Sequence, residues 1–427
     1  MKIVGLIAEY NPFHNGHKYH IEKALEMTDS DAAVVLMSGD FVQRGAPAIM
    51  PKHLRAEAAL KSGASAVFEL PVCYACGSAE YFARGALAVF ESLGCVESIC
   101  FGSECGDFET LNKIARIFAE EPEEYQTALR TYLRRGLSFP LARQKALRDY
   151  TGDAALEAVL DYPNNTLGVE YIKAIYLAKS SVRAYTLKRL DSDYHDTELS
   201  NTYSSASAIR RLLAYSSNSL HIESDTEFDE PRLTEVLTRL EDHVPAPCIR
   251  LLEENHRIRY PVYSNDFSLL LKYRLLSETK ESLTEYADVT QDLANRIINY
   301  RNSLISWEQF CDLLKTREIT MTRVSRMLLH ILLGIRKSDL LLYEESGICQ
   351  YARLLGFRKD STLVLREMKR NASVPLITKL ASARGITRAG IHMLEQGIYA
   401  ADIYESVVTN KYKYPFISEY EQQLRIV

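Results

Sequence analysis

The stretch KIVGLIAEYNPFHNGHKYHIEKAL, residues 2–25, decides the fold. Its apolar start, Lys2 to Ala8, has the length of a buried strand. Glu9-Tyr-Asn-Pro12 supplies turn formers, and then the period changes. His17, Ile21 and Leu25 lie four apart, on one stripe of a helix that His17 opens, while His14 sits in the turn just before it. The unpaired N–H groups and dipole of a helix start make a ready anion site. Gly16 lets a phosphate approach the backbone closely. Two imidazoles there can donate to phosphate oxygens and stabilise charge that grows during transfer. The constellation fits a nucleoside triphosphate attacked at its α-phosphate. A zinc site is the weaker reading, because no acidic or Cys partner completes a ligand set at recognised spacing. A single histidine would read as a turn or cap residue, and His20 still reads that way as readily as it reads functional.

The same rhythm continues over the first 120 residues. Strand-length apolar runs at 2–8, 32–37, 66–70 and 98–101 alternate with helical patterns at 16–27, 51–61 and 78–93. Strands covered on both faces by helices predict an α/β fold, a Rossmann-like doubly wound parallel sheet. Ligands of such sheets bind at the carboxyl ends of the strands. Residues 107–161 read as a helical insertion, with a basic stretch of Arg130, Arg134, Arg135, Arg143, Lys145 and Arg148 that taken alone is a solvated face. A turn and helix start (YPNNTLGVEYIKAI), a strand (SVRAYTLKRL) and a serine-capped helix (YSSASAIRRLLAY) follow. The polar, acidic segment 216–231 predicts a boundary between a catalytic domain, 1–220, and a mainly α-helical C-terminal domain, 221–427.

Composition narrows the class. A chain of 427 residues with 47% hydrophobic and 25% charged residues is ordinary globular material. Its net charge of -5 argues against wholesale coating of nucleic acid, though not against a local basic surface. Eight cysteines are too sparse for a disulfide scaffold and read as reduced thiols in a cytosolic protein. Cys73 and Cys76 have redox-motif spacing but read as structural. With no signal peptide and no run near the roughly 18 apolar residues of a membrane span, a cytoplasmic protein is expected.

His14-Asn-Gly-His17 resembles the HxGH signature of the nucleotidyltransferase superfamily, shared with class I aminoacyl-tRNA synthetases. Its place after strand one and at the start of helix one is the required context. Members carry a second phosphate-binding motif near the end of the catalytic domain, and Ser204-Ser-Ala-Ser-Ala-Ile-Arg210 occupies that place. Serine hydroxyls and helix-start amides there could hold the β- and γ-phosphates, and Arg210 could neutralise them; simple helix capping is the plain alternative for the serines. A closer resemblance rests on GLIAEYNPFHNGHKYHI, MSGDFVQRGAPAI, ELPVCYACGSAEYFARGAL, CFGSE, PNNTLGVEYIKA and SSASAIR, in this order. The chain is similar throughout to the bacterial tRNA(Met) cytidine acetate ligase family. Asp40 stands where that pattern has asparagine, and Ala46 where it has an acidic residue.

The resemblance implies ATP as a substrate, with Mg²⁺, and no tightly bound cofactor. It implies that acetate becomes an acetyl-adenylate and that the acetyl group passes to N4 of the wobble cytidine of elongator tRNA(Met), giving N4-acetylcytidine. ATP-binding residues carried over are Ile7, Ala8, Glu9, Tyr10, Asn11, Pro12 and Phe13, then His14, Asn15, Gly16, His17, Lys18, Tyr19 and His20, with Gly102, Asn164 and Arg189 across the cleft. His14, His17, Ser205 and Arg210 carry the catalytic roles. Arg323, Arg326 and Arg358 are the tRNA contacts expected in the C-terminal part, and no membrane or protein partner is implied. The alternative is an adenylyltransferase for a small phosphorylated cofactor precursor, which the long helical extension argues against.

Overall fold

A computed structural model describes residues 1–189, 205–216 and 230–427. Eight strands form the central sheet: β1 (Ile3–Ala8), β2 (Ala32–Ser38), β3 (Ala66–Leu70), β4 (Ser98–Ser103), β5 (Arg183–Lys188), β6 (Ala352–Phe357), β7 (Leu376–Ile377) and β8 (Arg425–Ile426). Their order is β8-β6-β3-β2-β1-β4-β5, with β7 pairing to β6. Strands β1 to β5 run parallel, Leu6 of β1 lying between Val35 of β2 and Cys100 of β4.

The sequence periods explain the layers. Successive side chains of a strand face opposite ways. Ile3, Val34, Leu36 and Phe68 therefore enter one core, and Val4, Leu6, Val35, Met37 and Val67 the other. Every residue of β2 is buried, so it reads as an unbroken apolar run rather than an alternating one. Of the helices that matter below, α1 (Asn15–Thr28) and α2 (Lys52–Lys61) cover the second core, and α3 (Ala79–Leu93) covers the first. The insertion comprises α4 (Phe108–Glu120), α5 (Glu123–Arg134), α6 (Phe139–Thr151) and a short helix before α7 (Pro163–Ala178). The serine-capped segment is α8 (Ala206–Ser216), and the later chain includes α9 (Met321–Leu333) and α10 (Arg388–Tyr412).

From β1 the chain first adds β2 and β3 on one side and then β4 and β5 on the other. The crevice between β1 and β4 is the switch point where such sheets bind ligands. The C-terminal part is mainly helical, as its 3.6 periodicity suggests, but it also returns three strands to the sheet. β6 lies antiparallel to β3, within the segment YARLLGFRKD that carries Arg358, one of the arginines expected to contact tRNA. Arg353 is buried within the strand, paired with Glu69 and Glu419. Most of the expected boundary segment, together with Ser204, lies outside the described residues. Among the described residues no helix is long and apolar enough to cross a membrane.

Candidate active site

The turn after β1 is held by the protein's own contacts. Tyr10 adopts φ 47°, a left-handed conformation uncommon for a bulky residue. Its buried ring packs edge-on against Phe13 and His17, at 4.7 and 4.8 Å between centroids. Asn11 accepts the Ile49 N–H through Oδ1 at 2.7 Å, which ties the turn to the loop after β2. Beneath both, the fully buried Arg55 of α2 donates to the carbonyls of Glu9, Ser38 and Gly39, and through Nε to Met50. One guanidinium thus holds the carboxyl ends of β1 and β2 together.

His14 caps α1. The Gly16 N–H donates to His14 Nδ1 at 3.1 Å, and the His14 N–H donates to His17 Nδ1 at 3.3 Å. With both Nδ1 atoms accepting, each neutral ring carries its proton on Nε2, the donor left for a ligand. The two rings stack at 3.7 Å. Burial, then the Arg189 and Arg210 charges, hold the His14 pKa down to about 3. Burial, then His14 and Arg189, hold His17 well below its ordinary value. Burial and Arg189 lower His20 to about 4, against a hydrogen bond to the Cys100 backbone that raises it. His20 Nε2 is buried with no hydrogen-bond partner among the described residues. The site therefore presents neutral donors, flanked by the cations of Arg189 and Arg210.

The second motif closes on the first. Arg210 of α8 donates through Nη1 to the Asn11 carbonyl at 2.6 Å and through Nη2 to Ser207 Oγ at 3.0 Å. Ser205 caps α8, accepting from Ala208 N–H at 3.1 Å, so the capping reading of this serine holds. A cap still presents its hydroxyl and the helix-start amides to an anion. Two motifs about 190 residues apart in the chain meet at one turn.

Across the crevice, a Cβ on Gly102 would lie 3.3 Å from Arg189 Cγ, so the glycine lets this side chain lie over β4. The Arg189 N–H donates to Ser103 O at 2.9 Å. Glu104 accepts Asn164 Nδ2 at 2.6 Å and the Asn165 N–H at 2.9 Å. Asn165 is committed to structure: its Oδ1 accepts from Glu104 and Cys105 N–H, and its Nδ2 donates to Val159. Asn164 is the half-buried one of the pair, with its Nδ2 held by Glu104.

Not every expected residue converges. Asn15 Nδ2 donates to the Asp242 carbonyl at 2.8 Å, so this side chain serves the C-terminal helices. Lys18 is exposed and 3.8 Å from Glu22. Arg326 pairs with Asp288 at 3.3 Å beside the loop after β2. Arg323 lies one turn earlier on α9, its Nε buried with no hydrogen-bond partner among the described residues. Arg358 is elsewhere. Its N–H donates to Ser65, at the amino end of β3, and its side chain pairs with Asp360. Because β6 runs antiparallel to β3, this puts Arg358 at the end of the sheet opposite the histidines. The three arginines do not form one surface.

A family model described as HIGH Nucleotidyl Transferase matches residues 1–417. The tRNA(Met) cytidine acetate ligase of Acetivibrio thermocellus is 39% identical over 407 residues, covering 95% of this chain and 94% of its own. The chain belongs to the tRNA(Met) cytidine acetate ligase family of HIGH nucleotidyltransferases. The Clostridium acetobutylicum ligase is 40% identical over 388 residues, 89% of this chain and 90% of its own. A crystal structure of Thermotoga maritima TmcAL bound with alpha-thio ATP matches with a TM-score of 0.87 at 29% identity, over 100% of both chains.

Within this ligase-family chain, two residues that matter carried no sequence signal for their role. Arg55 on a helix reads as solvated, and only the close approach of α2 to two strand ends reveals its clamp. The Asp40 carboxylate is buried and turned to α2. Its Oδ1 accepts the Lys52 N–H at 2.7 Å and its Oδ2 lies 3.6 Å from Lys52 Nζ. It serves the start of α2.

Proposed function

We propose that this protein is an ATP-dependent ligase that activates acetate and acetylates N4 of the wobble cytidine of elongator tRNA(Met) in the cytoplasm. The observation that carries the reading is the Arg210 to Asn11 contact, which brings the HxGH turn and the Ser205–Arg210 segment to one site. The names of the relatives favour acetate and tRNA over a phosphorylated cofactor precursor.

ATP lies across the switch point, with its base and ribose toward Gly102, Asn164 and Arg189 and its phosphates toward α1 and α8. The β1 turn from Ile7 to Phe13 and the start of α1 at Gly16 line the phosphate path with backbone, the Gly16 N–H itself being held by His14 Nδ1. An acetate oxygen attacks the α-phosphorus in line, and the bond to pyrophosphate breaks. Nε2–H of His14 and His17 donates to the phosphoryl oxygens as charge builds, while Ser205 and Arg210 hold pyrophosphate. The cytidine amine then attacks the acetyl carbonyl carbon, loses a proton, and AMP departs. No group of three His, Cys, Asp or Glu side chains converges on a metal position among the described residues. Mg²⁺ would be held chiefly by the ATP phosphates and water.

Acetate-dependent exchange of labelled pyrophosphate into ATP tests the first half-reaction. Exchange with acetate and none without it is expected. Exchange that needs a phosphorylated cofactor precursor and ignores acetate would instead establish the adenylyltransferase.

A further inference from the structure

One basic stretch remains unused by this chemistry. Part of it is structural: Arg143 pairs with Glu170 at 2.5 Å and lies 3.7 Å over the Phe118 ring, and Arg148 pairs with Glu157. The α5 end is different. Arg130 and Arg134 lie four apart on one stripe of α5 and are exposed, as is Arg135 beyond them. Arg135 lies 5.6 Å over the Tyr132 ring. Leu133 and Phe139 show 40% and 49% of their surface, so apolar and aromatic surface accompanies the arginines.

This turn meets the C-terminal part. A Cβ on Gly136 would lie 2.9 Å from Glu318 Oε1. Glu318 belongs to the loop that carries the exposed Lys315 and Arg317 and leads into α9. Exposed cations from segments about 180 residues apart thus flank the contact between Gly136 and Glu318, while Glu123, Glu124 and Asp149 line the hollow that Arg135 shares on the α5 side. The helix continues toward the reactive end of the sheet. A Cβ on Gly45, in the loop after β2, would lie 2.2 Å from the Arg326 backbone. Thr320 to Arg326 spans about 9 Å at the helical rise. The patch therefore begins about two helical turns from a loop at the site.

We propose that Arg130, Arg134, Arg135 and Phe139, with Lys315 and Arg317, form the surface that seats the anticodon arm of the tRNA. The proposal rests on the functional reading above and adds where the RNA lies. An anticodon arm presents stem phosphates and unstacked loop bases. The cations answer the phosphates, and the exposed ring offers a stacking face. On a chain of net charge -5, a local cluster of cations also sets the orientation in which RNA approaches.

The test is binding of fluorescently labelled elongator tRNA(Met) across a salt series. Arg134→Ala with Arg135→Ala is expected to weaken binding about tenfold and to lower the slope of log affinity against log salt by about two, one for each lost phosphate contact. Acetate-dependent pyrophosphate exchange and the urea midpoint stay at wild-type values. Phe139→Ala weakens binding without changing the salt slope. Arg358→Ala, at the other end of the sheet, changes nothing. Wild-type affinity and slope in the double variant, or an equal loss in Arg358→Ala, overturns the surface. Wild-type protein that exchanges pyrophosphate with acetate but binds no tRNA overturns both the surface and the tRNA half of the functional reading. Normal tRNA binding without acetate-dependent exchange overturns the functional reading alone, and the same variants still decide the surface.

Discussion

His14 and His17 owe their chemistry to the backbone around them. Their Nδ1 atoms are occupied by the N–H groups of Gly16 and His14, so burial and capping select a neutral, Nε2-protonated ring in each. The motif was legible because imidazoles beside a glycine at a strand-to-helix turn have few structural uses. The tautomer was not legible, since it depends on which N–H reaches which nitrogen. His17→Ala is expected to lower acetate-dependent pyrophosphate exchange by about a hundredfold to a thousandfold, with tRNA affinity within about twofold of wild type in the salt-series assay. The lowered pKa of His14 also has a sign in stability. In the unfolded chain it takes a proton below about pH 6.5, while the folded group resists until about 3. The folded state binds fewer protons, so stability is complete above about 6.5 and is lost as pH falls through that window. Urea unfolding of the ATP-free protein at pH 7 and pH 5 should show this, with His14→Gln removing about 2 kcal/mol of the difference. An unchanged difference would mean that His14 takes up its proton in the fold at the same pH as in the unfolded chain.

The elements that aim these residues were partly hidden. Strands β1 to β4 and helices α1 to α3 stood out because a doubly covered sheet leaves unbroken apolar runs between helical periods. The loop after β2 did not. It folds as a two-residue hairpin, Phe41–Val42 against Ala46–Pro47, too short for any periodicity. Its tip is held from the C-terminal part, where Ser325 Oγ donates to the Gly45 carbonyl at 2.8 Å and accepts from Trp307 Nε1 at 3.1 Å. Gly45 has φ 75°, and any Cβ there meets backbone of α9. Gly45→Ala should therefore displace the tip and cut acetate-dependent exchange at least about tenfold. Gly152→Ala makes a control, because Gly152 has a similar φ of 67° with nothing within 4 Å. It should cost only backbone strain, about 1–2 kcal/mol, with exchange intact. Equal loss of exchange in both variants would assign the effect to strain alone.

At the scale of the molecule, the chain's last residues complete what its first ones begin. Glu419 accepts from His53 and Lys52 at 3.0 Å each and pairs with Arg353, while Glu69 pairs with Lys52 at 2.7 Å and Arg353 at 3.0 Å. Burial alone would raise the Glu419 carboxyl, but Lys52, His53 and Arg353 hold it well below its usual range. The network joins α2, β3 and β6 directly beneath the loop that follows β2. None of it could be read beforehand, because charges at 52, 353 and 419 in sequence give no sign of sharing a core. Glu419→Ala leaves two buried cations short of a partner and should cost about 3–5 kcal/mol, seen as a lower urea midpoint. A loss under about 1 kcal/mol would show the network to be solvated. The account's central claim concerns what the assembled site does, and transfer of radiolabelled acetate to elongator tRNA(Met) transcript in the presence of ATP tests it most directly. Label is expected on the tRNA as N4-acetylcytidine at the wobble position, with none on a transcript carrying uridine there. ATP cleavage without label on the tRNA, or equal labelling of both transcripts, would contradict it.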